Sequence, residues 1–199
     1  MTMRAADLVR RWGTRHPGVT FIGLPCLILL IVANVLWFAA PSRRQDAGGS
    51  GPTGVAPIAQ NRPAPDFDLP RLSRSGRLAL HSLRGRVVVM NFWASWCTAC
   101  RREAPALDAL AGRYRGTDVA FVGVDHGDEA SSARSFVRRY RVTYSSVVDG
   151  SDTLLGKYGA VGLPITYVIG RDGRIRYQVI GMADPGALRE AIDRVRATT

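Results

Sequence analysis

The sequence predicts an α/β domain, a mixed central sheet covered on both faces by helices, preceded by one apolar span long enough to cross a membrane. Three observations carry this. From Pro63 onward short apolar, β-branched runs alternate with amphipathic stretches; the last two runs are joined by the hairpin turn Gly170-Arg171-Asp172-Gly173; and residues 19–40 contain no charged side chain.

The apolar span comes first. As a helix its 22 residues extend about 33 Å, close to the hydrocarbon thickness of a bilayer. Arg4, Arg10, Arg11 and Arg15 precede it against Asp7, while Arg43 and Arg44 follow. This bias places the N-terminal segment 1–18 in the cytoplasm and the rest of the chain outside. Trp12 and Trp37 fall near the two ends, at headgroup level. A cleavable signal peptide is the competing reading. It is disfavoured because the run exceeds a usual h-region and Phe38-Ala39-Ala40 lacks the small residue of a cleavage site. Cys26 follows Pro25 early in the run and reads as a small apolar side chain in lipid rather than a lipidation site. A retained single-pass anchor is the expectation. Residues 41–62, rich in Gly, Pro, Ala and Ser and without strand or helix period, read as a flexible tether.

The domain then occupies 63–199. Residues 77–80 form a short strand, and 87–93 are an apolar run of the kind buried on both faces. A helix follows from Cys97 to about Arg113. Residues 119–124 are another buried strand and 130–141 an amphipathic helix. Val147 and Val148 mark a small strand, 153–158 a short helix, and 165–169 with 175–180 the hairpin. Asp184-Pro185 starts a last helix, with Asp at the cap and Pro in the first turn.

Charge excludes one function class. The net +11 divides into seven basic against two acidic residues before Pro63 and twenty against fourteen from there on. Arg138, Arg139 and Arg141 interleave with Val137 and Tyr140 as on a solvated helix face, not a phosphate-tracking stripe, which argues against nucleic-acid binding.

Cys97 and Cys100 stand two residues apart where a buried strand turns into a helix. The first sulfur meets the positive end of the helix dipole and free backbone N–H groups, which favour the thiolate, the attacking species. The second, one turn deeper, can displace whatever the first has captured. Half of a zinc site is the alternative for such a pair. His81 and His126 lie at no usual ligand spacing, and no further cysteine stands outside the membrane, so no metal ligand is assigned.

Residues 91–105, NFWASWCTACRREAP, strongly resemble the active-site signature of the TlpA/ResA/DsbE family of membrane-anchored thioredoxin-like proteins. The resemblance runs from about Pro63 to Arg196. It includes Ala64-Pro65-Asp66-Phe67, Leu83-Arg84-Gly85, and Gly162-Leu163-Pro164-Ile165-Thr166. It implies a thioredoxin fold with an N-terminal β extension and a helical insertion between its halves. It also implies Cys97 as nucleophile, Cys100 as resolving thiol, and Pro164 as a cis-proline facing the disulfide. A cis X-Pro bond there would offer the Leu163 backbone to a substrate strand; an ordinary trans proline at a strand start is the plainer alternative. Trp96 is expected beside Cys97 on the rim, and Trp93 in the core.

Glu103, three residues beyond Cys100, shares its helix face. It is either a proton-exchange partner of that thiol or a solvated first-turn glutamate. Asn91 stands where cytosolic thioredoxins carry a buried Asp, which favours the first reading. His126, just past a buried strand, falls either near the site or, the plainer reading, in a loop without special role.

Together these imply thiol-disulfide exchange with protein substrates outside the membrane, apocytochrome c being the one the family suggests. The chain would act as a reductant fed by an upstream membrane thiol carrier, with no bound cofactor beyond the redox-active Cys97–Cys100 disulfide. A disulfide-forming oxidase of the same fold is the alternative. A metal-delivery module, whose cysteines are spaced by three, and a thiol peroxidase, which needs a Thr one turn before its cysteine, fit less well.

Overall fold

The structure, a computed structural model, describes residues 54–198. The candidate membrane span 19–40 and the tether up to residue 53 lie outside the described residues. Among the described residues no helix is long and apolar enough to cross a membrane.

A six-stranded mixed sheet runs in the order β1-β8-β7-β4-β5-β6. Its members are β1 (Ile58–Pro63), β4 (Val87–Trp93), β5 (Val119–His126), β6 (Ser145–Asp149), β7 (Ile165–Ile169) and β8 (Arg174–Ile180). β2 (Asp68–Pro70) and β3 (Arg77–Ala79) form a separate antiparallel pair. The helices are α1 (Thr98–Arg113), α2 (Ala130–Arg139), α3 (Leu154–Lys157) and α4 (Pro185–Ala197).

β4 lies inside the sheet because it can be buried on both faces. All seven residues are buried, paired in parallel with β5 and antiparallel with β7. Met90 and Phe92 pack on one side with Val122, Val124, Tyr158 and Tyr167. Val87 and Val89 pack on the other with Leu107 and Leu110 of α1 and Leu188 and Ile192 of α4. Each such side chain contributes about 1.5–3 kcal/mol of burial, so the strand that aims the cysteines is among the best anchored parts of the molecule. α2, through Ala133 and Phe136, belongs to the same apolar cluster as Trp93 and both cysteines, with Phe136 stacked on Trp93. In the hairpin turn, Gly173 takes φ 75°, which a side chain would strain.

β4-α1-β5 and β7-β8-α4 are the two halves of a thioredoxin-like fold; α2 and β6 come between them as the insertion, and β1 to β3 are the N-terminal extension. One boundary moves. The tether expected to reach Arg62 is already strand from Ile58, paired antiparallel with β8. β1 is an edge strand with no fully buried residue, so it lacks the apolar alternation that reveals a strand in a sequence. β5 continues two residues beyond 124, and these two, Asp125 and His126, reach the site.

Candidate active site

Cys97 is the N-cap of α1. Its Sγ accepts a hydrogen bond from Cys100 N at 3.1 Å, so the sulfur stands on the unpaired N–H groups of the first turn. The pair is present as a disulfide, with Cα atoms 5.2 Å apart. Cys97 is 7 % exposed and Cys100 2 %, an asymmetry that makes the first sulfur the accessible one. Leu163-Pro164 is cis. Cys97, Trp96, Leu163, Val161 and His126 line one groove of about 470 Å³. Trp96, 58 % exposed, forms its rim.

The turn before the cysteines is pinned from the side. Asp128 accepts from Ser95 N at 2.5 Å and Ser95 Oγ at 2.7 Å; Trp96 Nε1 donates to Gly127 O at 3.3 Å; Arg101 Nε donates to Ser95 O at 2.7 Å. Ser95 and Asp128 were missed in the sequence because their pairing joins two loops 33 residues apart. Asp125, at the end of β5, is 1 % exposed, and neither carboxylate oxygen has a hydrogen-bond partner. Burial, then the close approach of the Asp128 carboxylate, and last the charges of Asp128 and Asp152 push it up to about 8. A charged residue ending an otherwise apolar strand was the available signal.

Glu103 is not solvated. It is 3 % exposed, with Oε1 accepting from Ala183 N at 2.7 Å and Oε2 from Asn91 Nδ2 at 3.4 Å. The same Asn91 amide donates to Thr166 Oγ1 at 3.0 Å, joining β4 to β7 beneath the cysteines. Burial pushes Glu103 up to about 7, with the Ala183 and Asn91 donors holding it down in part. A carboxyl that titrates near neutrality is suited to taking and returning a proton. Trp93 is core, stacked on Phe136 at 4.3 Å between ring centroids.

His126 Nδ1, Asp149 and Asp152 place ligand atoms within 4.8 Å of one another, the group among the described residues spaced to hold a metal ion. Their oxygens already serve the backbone: Asp149 Oδ2 accepts from Leu154 N and Asp152 Oδ1 from Gly127 N, both at 2.8 Å. The cluster therefore reads as a loop brace.

The model of the AhpC/TSA family matches residues 61–178, more than half of the chain. The chain belongs to the AhpC/TSA family. Within it, the chain is 31 % identical over 173 residues to the thiol:disulfide interchange protein DsbE of Escherichia coli K12, covering 85 % of this chain and 89 % of that one. It is 30 % identical over 140 residues to the thiol-disulfide oxidoreductase ResA of Geobacillus thermodenitrificans, covering 70 % and 79 %. Among solved structures, a DsbE-type interchange protein from Chlorobium tepidum aligns with a TM-score of 0.65 at 28 % identity, over 69 % of this chain and 98 % of the other. The chain is thus a thiol-disulfide oxidoreductase of the ResA and DsbE type.

Proposed function

We propose that this AhpC/TSA-family chain reduces disulfides in protein substrates outside the membrane, with Cys97 as nucleophile, Cys100 as resolving thiol and Glu103 as proton acceptor. The observation that carries the reading is the sulfur pair at the start of α1, its outer member in a groove and its inner member one turn from a buried carboxyl. In the reduced enzyme the Cys97 thiolate attacks a substrate disulfide, forming a mixed disulfide and releasing one substrate thiolate. Cys100 gives its proton to Glu103 and attacks Cys97 Sγ, which releases the second substrate thiolate and forms the Cys97–Cys100 disulfide. Two electrons pass to the substrate, and an upstream membrane thiol carrier must restore them. No bound cofactor takes part. Trp96 and the backbone at Leu163-Pro164 hold the substrate chain, and apocytochrome c is the substrate that the resemblance of residues 91–105 suggests. The span 19–40 would hold the domain at the outer face of the membrane.

The direction rests on Thr98-Ala99 between the cysteines, a pair that carries no histidine to stabilise the Cys97 thiolate. Without a cationic donor its reduced form leans on the helix start, and the potential should lie nearer the thioredoxin value of about −270 mV. Equilibration with glutathione and dithiothreitol buffers tests this. A potential above roughly −180 mV makes the protein an oxidase instead. Cys100→Ser should accumulate a mixed disulfide with substrate that reductant releases, and Cys97→Ser should abolish exchange.

A further inference from the structure

The first described residues do more than lead into β1. Val55 forms a parallel bridge with Ala183. Its N–H donates to Met182 O at 2.6 Å, and its carbonyl accepts from Asp184 N at 3.1 Å. Ala183, between those two, turns its own N–H the other way, onto Glu103 Oε1. The 182–184 stretch is therefore gripped on one side by residue 55 and on the other by the buried carboxylate. Gly54 completes the fit, since a Cβ there would overlap the Ala183 backbone. The stretch is fixed at both ends as well: Gly181 N donates to Pro164 O at 2.9 Å, and Asp184 caps α4 through Ala187 N at 2.8 Å.

We propose that Gly54 and Val55 are positioning residues for the exchange reaction, a backbone strap that keeps the Ala183 N–H on Glu103. The strap lies within residues 41–62, the stretch that the sequence reads as the tether, so part of that stretch and the proton-handling carboxylate share one three-residue loop. Of the two donors to Glu103, the Ala183 N–H at 2.7 Å is much the closer, the Asn91 amide standing at 3.4 Å. A donor to a carboxylate stabilises the charged form; losing it raises the proton affinity. The other groups facing Glu103 do not compete for this role. Asn91 of β4 is uncharged. Tyr144, from the segment before β6, has its hydroxyl raised from the ordinary value by burial and stays neutral in the relevant range. Cys100, one turn earlier on α1, is tied in the disulfide.

The functional consequence rests on the proposed role of Glu103, but the test separates the two. The chain holds three glutamates, Glu103, Glu129 and Glu190, of which only Glu103 is buried. The oxidised full-length protein in detergent, with ¹³C-glutamate incorporated, gives three carboxyl signals to follow against pH; Glu103→Gln assigns one. Val55→Pro deletes the N–H to Met182, Gly54→Ala pushes the strap away, and Val55→Ala keeps both backbone bonds. The Glu103 midpoint should rise by about one pH unit in the first two, tenfold in proton affinity, and stay put in the third. A lowered or unchanged midpoint in folded Val55→Pro and Gly54→Ala overturns the strap, as does an equal shift in Val55→Ala. Gly54→Ala keeps the test open if Val55→Pro does not fold. Exchange rates against pH are read on the same proteins. If the midpoint moves while the rate profile does not, the strap stands and the proton role of Glu103 falls.

Discussion

Replacing Glu103 by Gln should change stability in a way that depends on pH with a definite sign. The folded protein holds the Glu103 proton up to about pH 7, whereas the ordinary glutamate releases it at 4.5. Between those values the folded state carries one proton more than the unfolded chain, so wild-type stability falls as pH rises through the window. The gap of about 2.5 pH units, at 1.36 kcal/mol per unit, amounts to about 3 kcal/mol. Gln is neutral throughout and lacks this slope. It keeps an acceptor for Ala183 N, but its amide nitrogen would meet the Asn91 donor, a pH-independent offset of about 1 kcal/mol. The stability of Glu103→Gln minus wild type should therefore rise by about 3 kcal/mol between pH 4.5 and 8. Asp125 adds a slope of its own in this range, but both proteins carry it and it cancels in the difference. Guanidinium unfolding of the oxidised fragment 50–199, a compact unit by itself, measures the difference at each pH. A difference that stays flat from pH 4.5 to 8 would refute the assignment of a raised proton affinity to Glu103.

Other outcomes follow from the same structure. Asp125→Asn should become increasingly stabilising relative to wild type from pH 4 to 9, because the folded-state proton held up to about pH 8 is no longer needed; melting temperatures across that range check it. Gly123→Ala should cost about 1–3 kcal/mol in denaturant unfolding, since the new Cβ would lie 2.7 Å from both Ser146 Oγ and Trp93 Nε1. Trp96→Ala should leave stability within about 0.5 kcal/mol while raising KM for a peptide disulfide with kcat little changed. A fragment starting at Pro63 should melt about 5 °C or more below one starting at Ser50, because it strips β1 from the edge of β8.

The parts of the fold that could be read from the sequence are those whose signal is local. The apolar run of β4, the Asp184 cap with Pro185, and the Gly170–Gly173 turn each announce themselves within a few residues. β1 and β2 do not, because short edge strands are defined by their partners rather than by their own period. The site divides the same way. Cys97, Cys100, Trp96, Leu163 and Pro164 were legible as motifs; the fold brings Cys97, Trp96 and Leu163 to one groove, with Cys100 buried behind Cys97 in the disulfide and Pro164 following Leu163 through a cis bond. Whether Glu103 was solvated or buried could not be read, since its environment comes from β4 and from the loop 80 residues further on that holds Ala183. His126, read as a plain loop residue, instead ends β5 and lines the groove.

The two outer margins of the main sheet bear on how copies of the chain behave together. A bare strand margin is a template on which a neighbour can add its own backbone. Here the N-terminal extension closes both: β1 lies along β8, and on the far side Arg71 bridges Val147 while Leu72 N donates to Ser146 O at 2.9 Å. β1 is itself a poor template, with a register break between Ala59 and Arg62 and a proline at its end. Residues that resemble a mere lead-in thus act as selvedges that keep one molecule's sheet from unravelling into the next.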